Sequence, residues 1–168
     1  MIPVTLIMAT TADGKIAKDK NQLADWTSKE DKRLFVETSK EFGIIMMGEN
    51  TFRTFPKPLP GRLNVVFSRN GGEDIEGLLR YVQGEPETVL ADLEKLGYKK
   101  ALLGGGAFLN SLFLKKKLIS EIILTIEPKI FGTGISLFSE DLEADLVLLE
   151  NRQLNENTVM LRYKLIYS

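Results

Sequence analysis

Short runs rich in Val, Ile and Leu alternate with segments whose apolar residues recur at helical spacing, and this alternation constrains the fold most. Strands that alternate with helices are typical of a mixed α/β sheet. The pattern predicts strands at residues 4–9, 43–47, 64–68, 79–82, 100–103, 121–126, 146–150 and 158–166. It predicts helices at about residues 29–40, 87–96 and 107–116.

The last forty residues change character, because two strand-like runs flank the polar turn Asn155-Glu156-Asn157. This arrangement predicts an antiparallel hairpin that closes the sheet. With 168 residues the chain can bury one sizeable core but is short for two. We therefore expect a single domain over residues 1–168.

The chain has neither Cys nor His, which removes several kinds of chemistry. It can build no disulfide, thiolate nucleophile, Cys/His zinc site or Ser-His-Asp triad. Catalysis must therefore use carboxylates, hydroxyls, Lys or Arg, backbone dipoles or a bound cofactor. These exclusions favour a cofactor enzyme or a plain binding domain, and no metal site is predicted.

A net charge of −1 with scattered basic residues predicts no nucleic-acid partner and no anionic membrane surface. The apolar run at residues 2–9 lacks a cationic leader and is too short for a signal peptide or a membrane span. It reads as a buried strand, and we expect a cytoplasmic protein.

The strongest local feature is an apolar strand that runs into Gly104-Gly105-Gly106 and then into a helix. Three glycines let the backbone approach a ligand closely and direct N–H groups at a phosphate. A tight strand-to-helix connection would use the same residues. Gly48 also interrupts a buried strand, and Thr51 with nearby N–H groups offers a second phosphate site, so together the two fit a dinucleotide.

Two charged residues are candidates for substrate binding. The turn Pro58-Leu59-Pro60-Gly61 holds Arg62 where it can bind a carboxylate, although a surface arginine would look the same. Asp31 lies early in a helix whose Leu34 and Phe35 should face inward. A carboxyl beside an apolar wall can have a raised pKa and bind an amino-pyrimidine edge. An exposed helix-start acid is the alternative.

Taken in order, these segments resemble dihydrofolate reductase over nearly the whole chain. The shared blocks are Met47-Gly48-x-x-Thr51-Phe52, Pro58-Leu59-Pro60-Gly61-Arg62 with Asn64-Val65-Val66, Gly104-Gly105-Gly106, and Ile7-Met8-Ala9 through Asp13-Gly14-Lys15-Ile16. The resemblance implies a mixed, mostly parallel central sheet flanked by helices, with an antiparallel C-terminal hairpin.

The resemblance also implies hydride transfer from NADPH to carbon 6 of dihydrofolate, with protonation of nitrogen 5. Asp31 would hold the pterin edge, Thr125 would orient Asp31, and water entering near Trp26 would deliver the proton. Phe35 would pack on the substrate, and Arg62 would pair with its glutamate α-carboxylate. The implied catalytic residues are Asp31, Trp26 and Thr125, and the implied substrate contacts are Met8, Ala9, Asp31, Phe35, Arg62 and Thr125.

The implied cofactor contacts cluster at the two glycine sites and at the opening loop. They are Ala9, Ile16, Gly48, Glu49, Asn50, Thr51, Ser68, Arg69, Leu103, Gly104, Gly105, Gly106, Ala107 and Phe108. The loop at residues 13–20 would close over the nicotinamide and exclude water. We expect a monomer rather than a homodimer.

Some residues depart from that family. Glu49 stands where the family places Arg or Lys against the 2′-phosphate of NADPH, which leaves Arg69 to contact it. Lys32 replaces an apolar residue next to Asp31. Residues 128–138 and Trp26-Thr27-Ser28 look more like the pyrimidine reductases of riboflavin synthesis. The alternatives are therefore a reductase of a ribosylamino-pyrimidine and a non-catalytic nucleotide-binding module.

Overall fold

A computed structural model describes residues 1–167 of the chain. It contains ten strands and four helices in these residues. In chain order they are β1 Val4–Thr11, β2 Lys15–Ala17, α1 Lys29–Phe42, β3 Ile44–Gly48, α2 Glu49–Phe52, β4 Leu63–Phe67, β5 Leu79–Val82, α3 Pro86–Lys95, β6 Ala101–Leu103, α4 Ala107–Lys115, β7 Ile119–Glu127, β8 Ile135–Ser136, β9 Asp145–Gln153 and β10 Val159–Ile166.

Eight of the strands form one mixed sheet in the order β5-β4-β3-β6-β1-β7-β10-β9. From β5 to β7 every neighbouring pair is parallel. Strand β10 runs antiparallel to both β7 and β9, so the expected C-terminal hairpin is confirmed. Because parallel strands all end at the same edge, the loops after β1, β3, β4, β5 and β6 meet there.

Each inner strand presents alternate side chains to two separate cores, as its period of two requires. On one face Val4 and Leu6 pack in a cluster with Phe113 of α4 and Leu90 of α3. On the other face a second cluster forms around Ile45, against which the aromatic residues of α1 and its neighbours pack. The sheet is therefore covered by α3 and α4 on one side and by α1 on the other.

The first turn of α1 is fixed by a side-chain cap. Ser28 adopts an extended backbone, and its Oγ accepts a hydrogen bond of 3.2 Å from the Asp31 N–H. Such caps satisfy one of the free N–H groups at a helix start. At the other end Gly43 takes the left-handed conformation (φ 73°) that ends the helix before β3. The cap places Asp31 in the first turn, above the edge where the strands end.

The eight strands and three helices that the sequence predicted are all present, with ends within three residues of expectation. A second sheet of β2 and β8 was not predicted. These strands have three and two residues, too few for a periodic pattern to be visible. Part of the loop expected at residues 13–20 is thus a short strand paired with β8.

No helix in the described residues is both long and apolar enough to cross a bilayer.

We expect Phe113→Ala to lower the free energy of unfolding by about 3–5 kcal/mol, because it opens a cavity in a close-packed core. Phe113 is fully buried and meets Phe67 edge-on, with ring centroids 5.8 Å apart. Phe108 lies on the same helix but is 65% exposed, so Phe108→Ala is the matched control and should cost under about 1 kcal/mol. Urea unfolding checks both, and equal losses would contradict this packing.

Candidate active site

A cavity of about 1050 Å³ lies along the edge where the parallel strands end. Its walls come from Met8 and Ala9 of β1, the segment around Gly48, the ends of β4 and β5, and the first turns of α1 and α4. The volume is at the upper end of the range for small-molecule sites and suits two ligands side by side. The glycine segments and Asp31, which are far apart in sequence, thus share one space.

Asp31 is a partly buried carboxyl group in the wall of the cavity. Burial raises its pKa above the usual aspartate value, and the negative charge of Glu127 acts in the same direction. Hydrogen bonds from the hydroxyls of Thr125 and Thr27, and the charge of Lys32, oppose this shift without cancelling it. The balance holds a proton on Asp31 at a higher pH than in water. This behaviour suits a group that exchanges protons with a ligand.

Thr125 reaches Asp31 from behind the cavity. It is 2% exposed and lies beside Ala9 in the parallel pairing of β7 with β1. It does not line the cavity itself, so its hydroxyl acts on Asp31 from the protein side. The pairing that the resemblance implied between these two residues is therefore present, with Thr125 as an orienting group.

Aromatic rings form the walls next to Asp31. Phe35, one turn further along α1, stacks on Phe55 with ring centroids 6.3 Å apart and an interplanar angle of 9°. Trp26 meets Phe131 edge-on at 5.0 Å, which joins the loop before α1 to the loop after β7. Phe35 and Trp26 both line the cavity. They leave a slot in which a flat ring could lie against Phe35 and reach Asp31 with its polar edge.

The two glycine segments touch each other at the opposite part of the cavity. The Gly48 N–H donates to the Gly105 carbonyl at 2.8 Å, and the Gly105–Gly106 peptide bond is cis. A Cβ atom at Gly106 would lie 3.1 Å from Thr51 Oγ1, and one at Gly105, where φ is 96°, would lie 3.0 Å from Met8 Sδ. Both positions therefore favour glycine, Gly105 through its φ and Gly106 through the crowding against Thr51, and this leaves bare backbone at the cavity rim.

Glu49 is held in a polar cluster at the rim. One carboxylate oxygen pairs with Arg53 at 2.6 Å, and the other accepts a hydrogen bond of 2.9 Å from Ser68 Oγ. Arg69, next in sequence to Ser68, is exposed and lines the same part of the cavity. The rim therefore presents a fixed carboxylate and a separate guanidinium, and Arg53 already offsets part of the negative charge.

Arg62 does not line the cavity. It is 5% exposed and its guanidinium donates to the carbonyls of Pro60 and Val36, each at 3.1 Å, and to Ser39 Oγ. Burial lowers its pKa, and its N–H donors are taken up by acceptors of the protein itself. In this structure Arg62 ties α1 to the turn before β4, which does not match the expectation that it faces a substrate carboxylate.

Most of the other residues expected at the site line the cavity together. These are Trp26, Asp31, Phe35, Met8, Ala9, Ile16, Gly48, Glu49, Asn50, Thr51, Ser68, Arg69, Gly104, Gly106, Ala107 and Phe108. Leu103, Gly105 and Thr125 lie directly behind this lining. Leu103 is fully buried within β6, and Gly105 contributes its carbonyl to the contact with Gly48.

The sequence reasoning missed several wall residues. Val82 and Gln83 line the cavity because β5 ends at the same edge as β3 and β4, a relation that only the strand order reveals. Leu23 reaches it from the loop before α1, beyond the loop expected at residues 13–20. Thr27 could have been found, because it directly precedes the capping Ser28 and so lies within one turn of Asp31.

One family model, described as the RibD C-terminal domain, matches residues 3–160. Among curated proteins, the chain is 29% identical over 161 residues to a Caenorhabditis elegans protein named "Putative dihydrofolate reductase". That match covers 84% of this chain and 80% of the relative.

Two solved structures show the same fold. RibD of Acinetobacter baumannii superposes with a TM-score of 0.82 at 20% identity, over 99% of this chain and 58% of that one. Dihydrofolate reductase of Enterococcus faecalis, solved with NADP(H) and RAB-propyl, gives a TM-score of 0.72 at 22% identity. It covers 97% of this chain and 96% of its own. The expected mixed, mostly parallel sheet is confirmed.

We expect Arg62→Met to lower the free energy of unfolding by about 3 kcal/mol, because it removes the guanidinium hydrogen bonds that tie α1 to the turn before β4. Lys57→Met, at an exposed position before the same turn, is the control and should change little. Urea unfolding measures stability, and retention of ligand affinity by the folded Arg62→Met protein would separate a structural role from a binding role.

The raised pKa of Asp31 predicts a specific pH dependence of stability. The folded state binds this proton more tightly than the unfolded chain, whose aspartates titrate near pH 4. Stability is therefore lost as pH rises from the pKa of Asp31 in the unfolded chain through its raised pKa in the folded state. Asp31→Asn lacks that loss, so the unfolding free energy of the variant minus that of the parent should increase from pH 3 to 8. The exposed Glu37→Gln on the same helix is the control, and parallel curves for Asp31→Asn and parent would contradict the assignment.

Proposed function

The chain belongs to the family of the RibD C-terminal domain, and from this membership we propose that it is an NADPH-dependent reductase of a flat, amino-substituted pyrimidine or pteridine ring. The observation that carries the proposal is the shared cavity. A carboxyl group with a raised pKa lies in the same space as a bare glycine rim, so a proton-handling group and a nucleotide cradle adjoin.

The cradle fits a dinucleotide cofactor. Gly105 and Gly106 leave little room for side chains, and backbone at two adjacent strand ends is open to pyrophosphate. Gly48, Thr51 and Gly106 would hold the phosphates, while Ala9 and Ile16 would flank the nicotinamide. NADPH would supply a hydride in this site. Arg69 is the cation best placed for a 2′-phosphate, because Glu49 offers only a carboxylate at the same rim.

Asp31 would bind the substrate edge and manage its proton. In its ionised form the carboxylate accepts two hydrogen bonds, one from an exocyclic amino group and one from a ring N–H. Thr125 and Thr27 hold the carboxyl in place, and Phe35 supports the ring face. A reduction consumes one proton for each hydride, and water beside Trp26 would deliver it to the ring nitrogen next to the reduced carbon.

Dihydrofolate is our first candidate substrate, because Asp31, Thr125 and Phe35 together suit an amino-pterin. A ribosylamino-pyrimidine of riboflavin synthesis is the second. It is favoured because the Arg62 guanidinium donates to Pro60, Val36 and Ser39 rather than facing a substrate carboxylate. The cavity wall instead contains Lys20 and Lys32. Two flexible lysines in the cavity wall would suit a sugar phosphate better than a bidentate carboxylate.

The test is NADPH oxidation followed by absorbance with each substrate, using the parent, Asp31→Asn and Glu37→Gln. We expect turnover with one of the two substrates and a fall in kcat/KM of about 100-fold in Asp31→Asn. Glu37 lies on the outer face of the same helix, so Glu37→Gln should match the parent.

The two substrates separate the candidates. Turnover with dihydrofolate alone would support the first, and turnover with the phosphorylated pyrimidine alone would support the second. A parent protein that binds NADPH but oxidises it with neither substrate would overturn the reductase proposal and favour a nucleotide-binding module.

A further inference from the structure

A second carboxylate, Glu127, lies next to Asp31 but outside the cavity. Glu127 ends β7 and is 2% exposed. Its Oε1 accepts two hydrogen bonds from Ser28, from the N–H at 2.9 Å and from Oγ at 2.7 Å, and its Oε2 accepts one from Thr158 Oγ1 at 3.1 Å. All three partners donate, as an ionised carboxylate requires. Burying a carboxylate costs free energy unless such donors surround it, so these contacts keep Glu127 in place.

The partner that matters most is Ser28, because it caps the helix that carries Asp31. Ser28 Oγ donates to Glu127 and at the same time accepts from the Asp31 N–H. Glu127, Ser28 and Asp31 therefore form one continuous chain from the end of β7 to the first turn of α1. A displacement of Glu127 would be passed to the Asp31 backbone through two short contacts.

The C-terminal hairpin supports the same helix start. Thr158, which holds the other oxygen of Glu127, lies just before β10 and is 2% exposed. In the same turn Asn155 Nδ2 donates to Glu30 Oε2 at 3.1 Å. The hairpin turn thus contacts α1 directly through Asn155 and Glu30. It also contacts α1 indirectly, because Thr158 holds Glu127 and Glu127 holds Ser28.

The charge of Glu127 also reaches Asp31. Its negative charge raises the pKa of Asp31, while Lys32 on the same helix lowers it. Strand β1 places the uncharged Thr11 opposite Glu127, and the hairpin contributes Thr158. Helix α1 carries the acidic Glu30, which accepts a hydrogen bond from Asn155. In residues 1–167 no Lys or Arg forms an ion pair with Glu127. Its charge is therefore offset only by dipoles.

We propose that Glu127 is a positioning residue for the proposed reduction, which fixes the first turn of α1 through Ser28 and places a second negative charge beside Asp31. The inference rests on the proposed function for its kinetic consequences. Its structural part, the coupling of Glu127 to Asp31, holds whether or not a substrate has been identified.

Two variants divide the geometric role from the charge. Glu127→Gln retains the length of the side chain and an oxygen for Ser28 but removes the charge. Glu127→Asp retains the charge but is one methylene too short to reach Ser28. Glu156→Gln removes an exposed carboxylate from the nearby turn and is the matched control.

The first measurement needs no substrate. The titration of the Asp31 carboxyl is followed by carbon-13 NMR and assigned from the spectrum of Asp31→Asn. In Glu127→Gln it should move to lower pH, because the like charge is gone. In Glu127→Asp and Glu156→Gln it should stay close to the parent's. A Glu127→Gln titration that coincides with the parent's would overturn the electrostatic part.

The second measurement is the pH profile of kcat/KM with the substrate that the parent reduces. Because Asp31 holds the substrate edge, we expect kcat/KM to change across the pH interval in which Asp31 titrates. Glu127→Gln should move that change to lower pH. Glu127→Asp should lose about tenfold at every pH without moving the profile. Full activity in Glu127→Asp would overturn the geometric part.

The two failures are distinguishable. Absence of turnover in the parent removes the proposed function but leaves the NMR titration to decide the coupling. If Glu127→Gln does not fold, Glu127→Asp still tests the geometry, since unchanged protection of the Asp31 amide from hydrogen exchange in that variant would contradict the proposed chain.

Discussion

The parallel pairing of β1 with β6 on one side and β7 on the other is the constraint on which the site depends. It brings the end of β6, with its glycines, and the end of β7, with Thr125, to opposite flanks of Met8 and Ala9. Ligands of open α/β sheets bind outside the carboxyl ends of strands where the strand order changes direction. Here the glycines that follow β6 lie on one side of β1, and Thr125, which hydrogen-bonds Asp31, lies on the other side.

Several polar groups are buried around this strand, and the structure meets their cost in different ways. Arg62 and Asn64 are engaged on nearly all sides by main-chain carbonyls, so their burial stabilises loops. Asp31 has no cation strong enough to offset its burial, and its pKa rises instead. Arg62 and Asn64 hold the scaffold, whereas the carboxyl group whose burial raises its pKa faces the cavity. This division is typical of sites where stability is sacrificed for chemistry.

The sequence predicted most of the fold because the long elements have clear periodicity and the helices begin and end at residues with known preferences. It predicted Asp31, Phe35 and the glycine rim because each belongs to a local block. It did not predict the β2–β8 pair, since two or three residues carry no period. It also missed the contribution of Glu127, because a Glu at a strand end is ordinarily exposed and its partners Ser28 and Thr158 are distant in sequence. The sequence could not decide the role of Arg62, because its block looks the same whether the guanidinium faces a ligand or the protein's own carbonyls.

The close contact between Gly106 and Thr51 has a consequence for how such a chain can change over evolutionary time. A Cβ at position 106 would lie 3.1 Å from the Thr51 hydroxyl, so that hydroxyl would have to move by a few tenths of an ångström. A side chain at 106 therefore changes the rotamers open to Thr51, and the cost of a change at either position depends on the other. The two loops should diverge together, while the surrounding walls remain free to adapt to a new substrate.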